Sequence, residues 1–173
     1  MTGIFNKLLD TIIEKVSYWR ANSDSLEAVY YLYVLYSIQA MEGSVVARDF
    51  ALRFREDCRA RARLRRNRTK SFEWLGHGAG IRSLIHHSQL GEWKPDLEFW
   101  GNILPLARVG GRVSRFDGPQ AGEIETLGGL PAFFVPAKAN FASQNLENRS
   151  VTFLLGFSYD GLRAWDIKEA VTK

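Results

Sequence analysis

The strongest constraint on this chain is a change of hydrophobic period near Pro105. Before it, apolar residues recur at three- and four-residue steps. After it they alternate in short runs punctuated by glycine, and more than half of the fifteen glycines fall between Gly110 and Gly161. Steps of three and four place side chains on one face of an α-helix, and a step of two places them on one face of a strand. The pattern predicts an α+β chain, with an N-terminal helical bundle over residues 1–106 and a small five-stranded β-barrel over residues 107–173. Hydrophobic residues make up 46% of the 173 and charged residues 24%, so the chain can bury a core. Wholesale disorder, a collagen-like fibre and a disulfide scaffold are excluded.

In the helical half, Ile4, Phe5, Leu8, Leu9, Ile12, Ile13, Val16 and Trp19 form one continuous stripe and predict a first helix. Ser23 and Asp24, with Glu27 three residues after Asp24, predict a capped start for a second helix running to about Met41. Its segment Val29 to Tyr36 is apolar nearly all round, which suits the central helix of a bundle; a buried strand is the alternative. Gly43 ends that helix and Ser44 caps a third, carrying Val45, Val46, Phe50, Phe54, Cys58, Ala62 and Leu64 to about Arg66. Beyond Lys70, a short helix is expected at Ser71 to Trp74, a turn at Gly76 to Gly80 and a helix over Ile81 to Leu90. Pro95 is expected in the first turn of a helix bearing Leu97, Trp100, Ile103 and Leu104.

Past Pro105, five apolar runs read as strands: Leu106 to Phe116, Gly122 to Leu127, Ala132 to Lys138, Val151 to Phe157 and Leu162 to Ile167. Asp117-Gly118, Gly128-Gly129, a loop over 139–150 and Asp160-Gly161 separate them, the last being a hairpin signal in which both residues tolerate positive φ. A closed barrel removes exposed strand edges from a segment this short.

The spacing Gly111-x-Val113-x-x-Phe116, Gly122-x-Ile124, Gly129-x-x-x-Phe133-Phe134-Val135, Val151-x-Phe153 and Gly161-x-x-Ala164-x-x-Ile167 resembles the cold-shock domain over residues 108–168. The resemblance implies that the barrel is OB-like, an oligonucleotide-binding barrel whose basic, aromatic face stacks unpaired bases. It places Arg115 where the family carries an exposed tryptophan, keeps Phe116 as the following aromatic, and puts Ala121 and Glu123 at the aromatics flanking the glycine of the second strand. On the third strand Phe134 takes the stacking position and Pro136 replaces a histidine. Arg112, Arg115, Lys138 and Arg163 supply positive charge on the same barrel.

Between Arg48 and Lys70 ten basic residues stand against three acids, a larger excess than the net charge of +4 of the whole chain. Arg59, Arg61, Arg63, Arg65, Arg66 and Arg68 form its densest part, with no acid among them. Guanidinium forks contact phosphate oxygens in pairs, which gives sequence-independent, salt-sensitive affinity. The competing reading is a solvated helix face answered by carboxylates, or a patch that docks an acidic protein.

Other constellations are weaker. Arg82 and His87 have a spacing found in some helical ribonucleases, with His87 as general acid or base and Arg82 on phosphate; a helix-end histidine is the plainer reading. His77, His86 and His87 lack metal-ligand spacing, since adjacent histidines are expected on different faces, and Cys58 has no second thiolate beside it. Gly76, Gly78 and Gly80 lack the lysine of a phosphate loop. Asp96 with Val135-Pro136-Ala137-Lys138 lacks the second carboxylate of a metal-dependent nuclease. Trp74, Trp93, Phe99, Trp100 and Leu104 are expected to form a seam between the two domains.

The expectation is a non-enzymatic protein without cofactor or metal that binds single-stranded RNA or DNA, through Arg59, Arg61, Arg63, Arg65, Arg66 and Arg68 for phosphates and Arg112, Arg115, Phe116, Phe134 and Lys138 on the barrel. The alternative is a protein–protein adaptor or homo-oligomeric assembly module whose barrel no longer binds nucleic acid. The lone Cys58 and an N-terminus without a leader pattern suit the cytoplasm, and Val29 to Met41 is too short to span a bilayer.

Overall fold

Three N-terminal helices lead into a closed barrel. The computed structural model describes residues 2–63, 71–78, 83–140 and 145–171, with side chains from residue 7 onward. Helix α1 (Thr2–Asn22) buries Leu9 and Ile13 and half-buries Ile12 and Val16 along one stripe. The side chains of Asn22 and Ser23 donate back to the carbonyls of Tyr18 and Trp19, both at 2.8 Å, and close its last turn. Helix α2 (Leu26–Met41) is capped by Ser25, whose Oγ accepts from the Ala28 amide at 3.2 Å. The expected cap at Ser23 and Asp24 is thus displaced, because the serine hydroxyl adjoining the helix reaches the free amide. Burial on nearly every side of α2 confirms it as the central helix. Ser44 caps helix α3 (Val45–Ala62) as expected, accepting from Ala47 at 3.2 Å. The buried residues of α3 are all small, Ala47, Ala51, Cys58 and Ala62, which lets its backbone come close to α2. The expected continuation past Ala62 to Arg66 lies largely outside the described residues.

The barrel strands are β5 (Arg108–Phe116), β6 (Gly122–Thr126), β7 (Pro131–Phe134), β8 (Ser150–Ser158) and β9 (Gly161–Glu169). They pair β8-β5-β6-β7-β9 and close through β8–β9, with β7–β9 the parallel pair. This is the order of an OB-like barrel, and each strand matches an expected run. Val113, Ile124, Ala132, Phe134, Phe153, Leu155, Leu162 and Ile167 fill the interior, in one cluster with Val29, Leu32, Tyr33 and Ala51 of the helices. The hairpin turn between β8 and β9 is Tyr159-Asp160, with Ser158 paired to Gly161. Of the expected Asp160-Gly161 pair, Gly161 alone takes positive φ, at 126°.

Three expected helices are strands. Ser71–Leu75 is β1, Leu84–His86 is β2 followed by a 3-10 turn at His87–Gln89, and Trp93–Lys94 with Phe99–Trp100 form a small hairpin, β3–β4. The β8 edge that pairs with β5 at residues 150–154 runs on to Ser158, and β1 takes up that remainder, with β2 outside it. An unfilled row of backbone groups outweighs the weak helical preference of so short a segment. The sheet consequently reaches back across the expected boundary at residue 107. Trp74, Leu90, Phe99, Leu106 and Leu154 form a second core, with Trp100 and Trp165 packed against it, so these aromatics join the β3–β4 hairpin to the outer barrel wall; Leu104 is exposed. Among the described residues no helix is long and apolar enough to cross a membrane.

Candidate nucleic-acid interface

Strand register builds the site. Arg115 on β5 faces Glu123 on β6, Glu123 faces Phe133 on β7, and Phe133 faces Arg163 on β9. Directly paired residues point to the same side of a sheet, so these four form one row across the outer wall, spanning about 14 Å at 4.7–4.9 Å per strand. The guanidinium carbon of Arg163 lies 4.7 Å from the Phe133 ring centroid. Burial pushes the Arg163 pKa below its ordinary value, and the charge of Asp160 acts against that shift. Arg115 pairs with Asp117 at 2.7 Å and Glu123 at 3.5 Å.

Helix α3 contributes Arg55 and Arg59 to the same groove as this row. Their guanidinium groups meet the same Glu56 oxygen, at 3.0 and 3.4 Å. A groove of about 570 Å³ lies between helix and barrel, lined by Arg55, Arg59, Arg115 and Arg163 together with Phe133 and the carboxylates Glu123 and Asp160. Glu56 and Asp117 also pair with three of these four guanidinium groups, so the groove sets arginines matched by carboxylates beside an aromatic ring. An anion with a flat apolar portion can meet guanidinium N–H groups and the ring together.

The site residues expected from sequence are dispersed. Arg59 and Arg115 line the groove. Arg61 faces elsewhere, held by Asp57 at 2.8 Å and by Asp24, so those carboxylates already answer its charge. Arg63 is the C-terminal cap of α3, while Arg65, Arg66 and Arg68 lie outside the described residues. Arg112 is exposed on β5 outside the groove lining, and Phe116 is 36% exposed at the end of the same strand.

Phe134 requires a correction: it is 1% exposed and forms part of the barrel core, where no base can stack on it. The outward phenylalanine is its neighbour Phe133, because a shift of one residue in register exchanges the two faces of a strand. Lys138 also falls elsewhere. It ends a 3-10 turn (Pro136–Lys138), pairs with Glu98, and stands 5.6 Å from the Trp165 ring centroid. There it borders a second cavity of about 540 Å³ between the β3–β4 hairpin and β9, which shares Arg163 with the groove. Sequence reasoning missed Phe133 and Arg55 as site residues and gave Arg163 only a supporting charge. The available signal was parity with Arg115, but it required the strand pairing.

The ribonuclease pair is not assembled from what is described. Arg82 lies outside the described residues, and the His87 ring packs 5.4 Å from Trp100. His86 and His87, expected on different faces, bring their rings to 4.3 Å, because the chain passes from strand to 3-10 turn between them. Among the described residues no group of three His, Cys, Asp or Glu is placed to hold a metal ion. Comparison with protein-family models, with curated proteins and with solved structures finds no match.

Proposed function

We propose that this protein binds single-stranded nucleic acid in the groove between α3 and the β6–β7–β9 wall, with Arg55, Arg59, Arg115 and Arg163 on phosphates and Phe133 against a base. The observation that carries this reading is the cross-strand row Arg115, Glu123, Phe133, Arg163 under the arginines of α3. OB barrels take oligonucleotides on their second and third strands and the adjoining loops, and here those strands are β6 and β7. The cold-shock likeness and a cytoplasmic setting belong to the same proposal. The outer arginine run contributes less than its density suggests, since Arg61 is occupied by Asp57 and Asp24.

A salt titration of oligonucleotide binding by the full chain, with Arg163→Gln and Phe133→Leu beside it, tests the reading. Each phosphate contact removed lowers the log–log salt slope by about 0.7 on a single strand, so Arg163→Gln flattens the dependence. Phe133→Leu loses a base stack of about 1–3 kcal/mol and keeps the slope. Salt-insensitive binding, or binding unchanged by both substitutions, rejects the reading. A protein partner retained after nuclease treatment, with no oligonucleotide bound, returns the molecule to the adaptor class.

A further inference from the structure

Five arginine and lysine residues line the groove and the second cavity, and four of them are paired. Arg55 and Arg59 share Glu56, Arg115 holds Asp117 and Glu123, and Lys138 pairs with Glu98. The fifth, Arg163, borders both spaces, and among the described residues its side chain makes no ion pair and no hydrogen bond. Its guanidinium carbon lies 4.7 Å from the Phe133 ring centroid, and a ring supplies no oxygen acceptor. Burial lowers its pKa, against the charge of Asp160. A cation partly withdrawn from water without a paired carboxylate favours an arriving anion.

The cavity between the β3–β4 hairpin and β9 supplies the rest of a ligand site. Its volume of about 540 Å³ falls in the range of small-molecule pockets. Trp165 on β9 and Phe99 and Trp100 on β4 give it aromatic walls, with Phe99 stacked on Trp165 at 5.7 Å and 13°. Leu97 and Ile103 add exposed apolar surface to the lining. These walls suit a flat aromatic body. The acids that line the cavity are already engaged or in water. Glu98 is held by Lys138, Asp166 by Arg108 at 2.7 Å and Lys168 at 3.4 Å, and Asp96 is exposed at the hairpin turn. Glu98 and Asp166 keep their places from left-handed backbone, at φ 51° and 49°, which side chains other than glycine rarely adopt. One unpaired guanidinium sets the matching charge at a single negative, and its planar fork fits the two oxygens of a carboxylate. A phosphomonoester brings roughly 1.5 to 2 charges, more than one guanidinium neutralises.

We propose that this cavity binds a small aromatic monocarboxylate, its ring beside Trp165 and its carboxylate on Arg163. The inference does not depend on the nucleic-acid reading. The test titrates the full chain with three probes of similar shape and different charge, cinnamate, cinnamamide and cinnamylammonium, followed on the tryptophan indole N–H resonances. Cinnamate is expected to shift the Trp165 signal, to leave that of Trp19 on α1 in place, and to bind about tenfold tighter than the amide, as a charge-assisted contact requires. Cinnamylammonium is expected to bind most weakly. Arg163→Gln should bring cinnamate down to the affinity of the amide. Leu97→Asp sets a carboxylate in the exposed part of the lining and should weaken cinnamate severalfold more than Leu97→Asn; this pair decides the matter even where Arg163→Gln does not fold. Equal affinity for cinnamate and cinnamamide overturns the Arg163 anchor, and tightest binding of the ammonium reverses the charge of the site. Cinnamate binding that leaves the Trp165 signal unmoved, or that treats the two Leu97 variants alike, puts the ligand outside this cavity and overturns the proposal, as does binding of none of the three. Each of these outcomes leaves the nucleic-acid reading to its own salt titration.

Discussion

The ring of Phe134 lies against the backbone of Gly122 on the neighbouring strand, so closely that a Cβ at Gly122 would stand 2.5 Å from Phe134 Cε1. The glycine is there because a buried phenylalanine fills the space a side chain would need. Gly122→Ala is expected to destabilise the barrel by about 1–3 kcal/mol, the usual cost of overpacking a filled core. A denaturant midpoint lowered with unchanged slope is the expected result, and a midpoint equal to that of wild type rejects this packing.

The helical layer is tied to the barrel by Glu73, a buried carboxylate on β1 that accepts from Tyr31 at 3.0 Å and from Tyr30; the Tyr30 hydroxyl also lies 3.2 Å from the Phe157 carbonyl oxygen. Glu73→Ala leaves the Tyr31 hydroxyl without its acceptor and is expected to cost about 1–3 kcal/mol. Burial, then the Glu73 charge, raises the Tyr31 pKa to about 12 and holds Tyr30 well above its ordinary value. The unfolded chain ionises these tyrosines first, near pH 10, and then binds fewer protons than the folded one. Their contribution is therefore complete below pH 10 and is lost as pH rises toward about 12. Denaturant midpoints measured across that window should fall more steeply for wild type than for Tyr31→Phe; parallel curves reject the assignment.

Cys58 is fully buried on α3, and burial, with the charges of Asp57 and Asp160, pushes its thiol up to about 12. Compared with a free thiol near 8.5, this leaves about a thousandfold less thiolate at neutral pH. Labelling by a thiol reagent should be negligible in the folded protein and should rise in step with unfolding, which makes Cys58 a probe of the α2–α3 packing. Rapid labelling under native conditions contradicts this.

Much of the architecture was legible where the hydrophobic period was long enough to read. Helix α1 shows its stripe over several turns, and the barrel strands alternate between glycine-marked turns. Segments of only a few residues were not legible. Ser71 to Leu75 fits a helix or a strand equally well by itself, and its pairing with β8 decided the matter. At the site the limit was parity, since adjacent phenylalanines differ in which one points outward.

The sequence by itself determined the α+β layout, the five barrel strands and a local surplus of arginine, because period, turn residues and composition are local quantities. The tertiary structure alone decided which carboxylates meet which arginines, Asp57 and Asp24 at Arg61 and Asp117 and Glu123 at Arg115, and which arginines gather with Phe133 in a groove. Both outcomes depend on register and helix placement, which bring together residues distant in the chain. A linear pattern does not encode those distances.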